Sequence, residues 1–241
     1  MRGMVRRIGS GLSAKRPAAN GALEMLKLID ASSGSGNFTA QRACVALVYA
    51  FGPGGSGASS MVPGIGGGGG GAAAFKCVKL SPGQSLAYSV GVPGAAVLPG
   101  SGDGKAGTAT SVRLPSGGLI VAGGGGGGTL SAGGAGGIAT GGDLNRAGGG
   151  GGFPTAPGAN GQMGGTGGLA TYSASGGGGA GGFLDQPAMF TGGAGSAGRT
   201  DGSSVLAGGF PGGGSGGEST GEVGVAAGGN GRVLIFVLRA R

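Results

Sequence analysis

Six acids, Asp103, Asp143, Asp185, Asp201, Glu218 and Glu222, are the first residues of this 241-residue chain to weigh for chemistry. Two carboxylates held near one another would suit glycosidic hydrolysis. Each of these stands alone in glycine-rich sequence, as the solvated acids of any soluble chain do. There is no histidine, which removes the commonest general base, the serine triads and most zinc sites. The two cysteines, Cys44 and Cys77, form no Cys-x-x-Cys pair and cannot build a metal site alone. Both lie in apolar, strand-like segments and read as buried free thiols; a disulfide would need their strands adjacent and in register. Gly-x-Gly-x-x-Gly recurs, but among 72 glycines it carries no information, and no Gly-Lys-Ser/Thr follows a glycine run to make a phosphate loop. The residues describe a protein that is not an enzyme and calls for no cofactor or metal.

What remains is the chemistry of recognition. Asp143, Leu144, Asn145 and Arg146 bring charge and an amide. Phe153, Met163 and Tyr172 bring apolar area, and Phe183, Leu184, Asp185, Gln186, Met189 and Phe190 combine the two. Aromatic residues and arginine dominate binding energy at interfaces. The alternative for Phe153, Phe183 and Phe190 is to pack against the flanks of whatever carries them.

That carrier is a glycine body over residues 123–231. Its dense runs are Gly123–Gly128, Gly148–Gly152, Gly176–Gly182 and Gly208–Gly217, with Gly66–Gly71 ahead of them. Glycine loses more backbone entropy on folding than any other residue, so such a chain should be a coil unless something special orders it. A polyproline-II-like helix has three residues per turn, rises about 3.1 Å per residue and points its backbone groups outward. Without Cβ atoms such helices can approach until those groups bond sideways. The runs recur as repeats do, with large apolar residues between them that a flexible linker lacks. No strict Gly-X-Y period exists, which excludes collagen. The fold class expected is mainly β or irregular: a small antiparallel β base with a bundle of polyglycine-II helices and little or no α-helix.

Charge is divided along the chain. Residues 1–114 hold eleven Lys/Arg and three Asp/Glu, whereas residues 115–231 hold two and five. Residues 1–30 read as a basic attachment arm, with Arg2, Arg6, Arg7, Lys15 and Arg16 facing an acidic partner. Nucleic-acid motifs are absent. The longest apolar run, residues 43–51, is far below the roughly 20 residues that span a membrane. The basic N-terminus has no apolar segment behind it to make a secretory signal.

The base is expected over residues 31–122, closed by a strand at 232–239. Residues 21–30 fit either a helical stripe or a strand. Residues 37–39 and 43–51 read as strands, the second with two apolar faces and hence central. Residues 72–80 and 85–92 read as a hairpin about Pro82-Gly83, in a type II turn. Residues 108–114 and 119–122 form a second hairpin. An apolar strand such as RVLIFVLR, residues 232–239, must pair with another to satisfy its backbone.

In order, "GGGGGGAAAFKCVKLSPGQSLAYSVGVPG", "TSVRLPSGGLIVAGGGGGG", further glycine runs and a closing "GGNGRVLIF" resemble the glycine-rich tail-fibre and adhesin proteins of tailed bacteriophages. The likeness covers residues 37–239. It implies a β base, a sandwich of polyglycine helices, and loops at a distal tip that touch a receptor on the bacterial surface. It departs where an aromatic usually precedes the first glycine cluster: Tyr49-Ala50-Phe51-Gly52 stands there. Residues 1–30 have no counterpart, so attachment to other virion tail or fibre proteins through the N-terminal region is an inference from charge. Self-association into a homo-oligomer is left open. The expected location is the virion, with synthesis in the host cytoplasm without a signal peptide. A non-viral glycine-rich surface protein or an ice binder is the alternative; an ice binder should carry a regular row of Thr or Ala, and the loops here differ in length.

Overall fold

A computed structural model describes residues 23–61, 63–153, 156–162, 164–170, 174–183, 191–201, 203–220 and 223–240. The chain is mainly β, and no α-helix occurs among the described residues.

Ten strands among the described residues make two antiparallel sheets. In the first, β1 (Leu23–Ala31), β10 (Arg232–Ala240), β3 (Cys44–Phe51), β4 (Ala73–Leu80) and β9 (Leu144–Arg146) lie side by side in that order. In the second the order is β2 (Ser35–Thr39), β5 (Ser85–Ser89), β6 (Thr110–Arg113), β7 (Leu119–Ala122) and β8 (Ala139–Thr140). The sheets face each other across one apolar core, in which Ala46, Val48 and Ile235 of the first sheet meet Leu86, Val112 and Ile120 of the second. Each large side chain fully buried there stabilises the fold by roughly 1.5–3 kcal/mol.

Alternation along β3 sets its place. Ala46, Val48 and Ala50 face the core, while Tyr49 and Phe51 form a second cluster on the opposite face of the sheet with Leu47 beside them. A strand buried on both faces belongs in the interior of a sheet, and β3 lies between β10 and β4. The closing strand β10 pairs with β3, Phe236 opposite Leu47, as expected. It also pairs with β1, so residues 23–31 take the strand alternative. Asp30 and Glu24 on β1 form ion pairs with Arg232 and Arg239 on β10, each at 2.8 Å.

One expected hairpin is corrected. The Pro82-Gly83 turn forms, with Gly83 at φ 83° and the Gln84 amide on the Ser81 carbonyl at 3.1 Å. Yet β4 and β5 do not pair: β4 lies between β3 and β9, and β5 between β2 and β6. The turn is a corner from one sheet to the other, and Leu80 and Leu86 on its two sides are both buried between them. The β6–β7 hairpin pairs as read, Val112 opposite Ile120. Cys44 and Cys77 are free; their strands are adjacent, but Cys44 faces Leu80 and Cys77 faces Leu47. Cys44 is buried, and burial pushes its thiol pKa up; Cys77 is exposed, contrary to the expectation of two buried thiols.

The glycine runs leave one end of this sandwich and return to it. Residues 66–72 hold them together. Gly66, Gly69 and Ala72 donate their amides to Thr129, Gly126 and Gly123; Gly67 and Gly70 donate to Gly152 and Gly149; Gly68 and Gly71 donate to Ser215 and Gly212, all at 2.7–3.2 Å. Their carbonyls accept with the same step of three: Gly66, Gly69 and Ala72 from Ala58, Gly55 and Gly52, Gly67 and Gly70 from Gly134 and Gly137, and Gly68 and Gly71 from Gly178 and Gly181. One segment is thus hydrogen-bonded to six others. Residues 176–182 are bonded in the same way, to segments that include 156–162, 193–196 and 165–168.

Burial follows the same period. Residues 52–60, 65–72, 174–183 and 211–219 are buried at every position, whereas 123–138 and 148–152 lie outside and bury only every third residue, including Gly125, Gly128, Gly134, Gly137, Gly149 and Gly152. Side chains on outer segments occupy the outward third: Ala132, Ala135 and Ile138 are all exposed. Interior positions exclude side chains, because a Cβ on Gly178 would meet the Gly149 carbonyl and one on Gly125 the Gly69 carbonyl. The few interior serines join the bonding: Ser215 Oγ accepts the Gly57 amide at 3.0 Å, and Ser56 Oγ accepts that of Lys105 at 2.8 Å. The body takes in residues 52–72 and 91–108 as well as the later runs.

Candidate recognition surface

Successive glycine segments run alternately away from the sheets and back. Residues 52–60 leave β3 and 65–72 return to β4, the Gly52 amide bonding to Ala72 and the Ala58 amide to Gly66. Among the described residues, the connections from outgoing to returning segments therefore lie toward one far end.

The far end is braced by polar side chains. Ser59 and Gly102 exchange amide–carbonyl bonds at 2.9 Å, and the Ser59 hydroxyl also accepts the Gly100 amide at 3.0 Å. That hydroxyl donates to the Glu218 carboxylate at 3.0 Å. Glu218 is fully buried, and its other oxygen accepts the Thr220 amide at 2.6 Å. The Leu130 amide donates to Asp103 at 3.0 Å, and the Arg199 amide to the Gly217 carbonyl at 3.0 Å. Asp201 is held below the usual carboxylate range by the hydroxyl and amide of Ser203. Val97, Val205 and Val225 make a small apolar plug just behind these turns, and Ala58, Ile65 and Ala174 make another.

On this braced end, among the described residues, large apolar side chains face outward. Met61, Leu98, Leu130 and Leu169 are 76, 75, 47 and 74 % exposed. Each sits where an outgoing segment ends. Phe153 is half-buried at the end of the outgoing segment 148–152.

The other anticipated residues lie elsewhere. Asp143 lies in the β8–β9 connection and Leu144, Asn145 and Arg146 form β9, at the sheets and not at the far end. The Asp143 carboxylate accepts Lys76 Nζ and the Cys77 amide, both at 2.9 Å, and these bonds hold its pKa below the usual range. The Asn145 side chain closes the turn by bonding to the amide and carbonyl of Gly142, each at 3.1 Å. Arg146 pairs with Ala73 across β9 and β4, and its Nε is buried without a partner among the described residues. The physical reason is direction: residues 132–138 are a returning segment, so the turn after them falls at the base. Phe183 takes the flank-packing alternative. It is 2 % exposed and meets Tyr49, Phe51 and Phe75 edge-on at ring separations of 5.7, 6.1 and 6.4 Å.

Met163, Tyr172, Leu184, Asp185, Gln186, Met189 and Phe190 lie outside the described residues, as do Arg2, Arg6, Arg7, Lys15 and Arg16. Sequence reading missed Met61, Leu98, Leu130 and Leu169. Their signal was a single large apolar residue at the break between glycine segments.

No protein-family model matches this chain, and no curated protein matches it in sequence.

Proposed function

We propose that this protein is a virion component of a tailed bacteriophage, a tail-tip or fibre adhesin that binds a bacterial surface receptor through the far end of a polyglycine-II bundle. The bonding step of three along residues 66–72, together with six bonded neighbours, supports reading each glycine segment as a helix of three residues per turn. Such a bundle is rigid without an apolar core, because backbone groups bond to one another at every turn. It acts as a mast, and its turns are the part that meets a partner.

The observation that carries the reading is the outward exposure of Met61, Leu98, Leu130 and Leu169 on turns cross-braced through Ser59, Asp103 and Glu218. Exposed apolar groups on a preorganised surface bind with little loss of conformational freedom. Asp103, Arg199 and Asp201 at the same end supply polar contacts at its rim.

The test is adsorption of the labelled protein to a panel of intact bacterial cells, with M61S/L98S/L130S/L169S as the variant. These side chains are exposed, so the melting temperature should hold within the range of surface substitutions, about 0.5 kcal/mol each. Saturable binding to some cells by the wild type, lost in the variant, is the expected result. A variant that folds and adsorbs as well as wild type overturns the assignment of the surface. Absence of wild-type binding to every cell type overturns the adhesin reading.

A further inference from the structure

The pole of the β sandwich opposite the glycine body carries a second surface, and what the far end binds has no bearing on it. We infer that this pole is a docking groove for an acidic peptide segment of a partner protein, one that inserts an apolar side chain between the two sheets.

Three crevices adjoin there. The first, of about 210 Å³, opens between β1 and the end of β2 over a floor of Leu26, Phe38, Cys44 and Val237, with Lys27 and Arg42 at its rim. The second, of about 340 Å³, shares Cys44 with the first and adds Lys79 and Arg239. The third, of about 250 Å³, shares Lys79 with the second and ends at Leu114 and Pro115. The shared residues make one path across the pole.

The charge along this path that has no ion-pair partner among the described residues is of one sign. Lys27, Arg42 and Lys79 line the path, are exposed and form no ion pair among the described residues. Two acids reach this path and both are already paired, Glu24 with Arg239 at 2.8 Å and Asp143 with Lys76, which lines the third crevice, at 2.9 Å. A row of free cations beside an apolar crevice complements a ligand with carboxylates flanking an apolar group. The chain's own preceding segment does not fit: residues 1–22 carry Arg2, Arg6, Arg7, Lys15 and Arg16 and no acid, so the rim repels them. Nucleic acid would meet the cations but leave the apolar floor unused, and Phe38, the aromatic residue of that floor, is buried beneath Lys27 at 5.7 Å rather than open to a base.

The experiment uses the full chain and a fluorescein-labelled peptide of Asp and Gly residues with one central Phe. Matched probes replace the Phe by Ser or the peptide by a single-stranded oligonucleotide, and fluorescence anisotropy is read against protein concentration at two salt concentrations. The expected result is saturable binding of the Phe peptide that weakens with salt, falls about tenfold in R42E/K79E, and falls again with the Ser peptide. Both substituted positions are exposed, so an unchanged melt is required alongside. Equal binding of the Phe and Ser peptides, binding unaffected by R42E/K79E, preference for the oligonucleotide, or no binding of the Phe peptide would each overturn the proposal.

Discussion

The amide of Gly178 donates to the carbonyl of Gly68 at 2.8 Å, joining two of the fully buried segments of the glycine body. A Cβ at Gly178 would intrude on the Gly149 carbonyl, whereas one at Gly150 would meet nothing nearer than the Gly134 carbonyl at 3.5 Å. G178A should therefore destabilise the protein by roughly 3 kcal/mol or more, since backbone has to move. G150A, in a neighbouring segment, should be neutral or stabilise by roughly 0.4–1 kcal/mol by restricting the unfolded chain. Chemical denaturation of the two variants checks this, and equal midpoints would refute the distinction between inner and outward positions.

Ser215 tests the bonding more finely. Its hydroxyl is the partner of the buried Gly57 amide. S215A keeps the volume nearly constant and leaves that amide unpaired, at a cost of about 1–3 kcal/mol. Hydrogen exchange at Gly57 should accelerate more than that of interior amides bonded to carbonyls, such as Gly68. Uniform acceleration throughout the body would mean that the bond is not local.

The closing strand is the most sensitive apolar element. Ile235 is fully buried between the sheets, and I235A should cost about 2–5 kcal/mol. Deleting residues 232–241 removes the strand between β1 and β3, bares the edge of β3 and should yield aggregates. A soluble, folded truncation would contradict this placement.

Asp30 and Asp143 contribute to the acid response through ion pairs at the sheets. Bonds to Arg232 lower the pKa of Asp30, and bonds to Lys76 and the Cys77 amide lower that of Asp143. Because the folded values lie below the unfolded ones, the stabilisation is present above about pH 3.9 and is lost as pH falls through the folded values. Both side chains are nearly half exposed, at 45 and 49 %, so the effect is small. D30N/D143N should melt slightly below wild type at neutral pH and converge with it as pH falls through the folded values. A difference that grows on acidification would reverse the sign and refute the argument.

Much of the base was legible in the sequence because apolar alternation determines which face of a strand is buried. Val48 and Phe51 announced a strand covered on both faces, and Leu234 and Ile235 announced a strand that had to be paired. The Pro82-Gly83 turn was legible as a turn, but turn chemistry does not say whether the flanking strands stay in one sheet. The position of the connecting turns was not legible, for a reason of parity. Residues 132–138 read Ala-Gly-Gly-Ala-Gly-Gly-Ile, with a side chain at each outward third, and look like a loop beside the pure glycine runs. Passing over that one segment reverses the end to which the next turn is assigned, which carried Asp143 and Arg146 to the wrong end. Met61 and Leu98 escaped notice because residues 52–60 and 91–97 were assigned to the base.

An interior built as Gly66–Ala72 is built bears on how the protein responds to cold. Unfolding a conventional core exposes apolar surface, which raises the heat capacity by about 0.45 cal/K/mol per Å², whereas exposing amides lowers it by about 0.26. The sandwich contributes the first effect and the glycine lattice the second, so their sum falls below the roughly 12–15 cal/mol/K per residue of ordinary domains. The stability curve is correspondingly flat, and the lattice keeps its strength at low temperature, where apolar burial weakens.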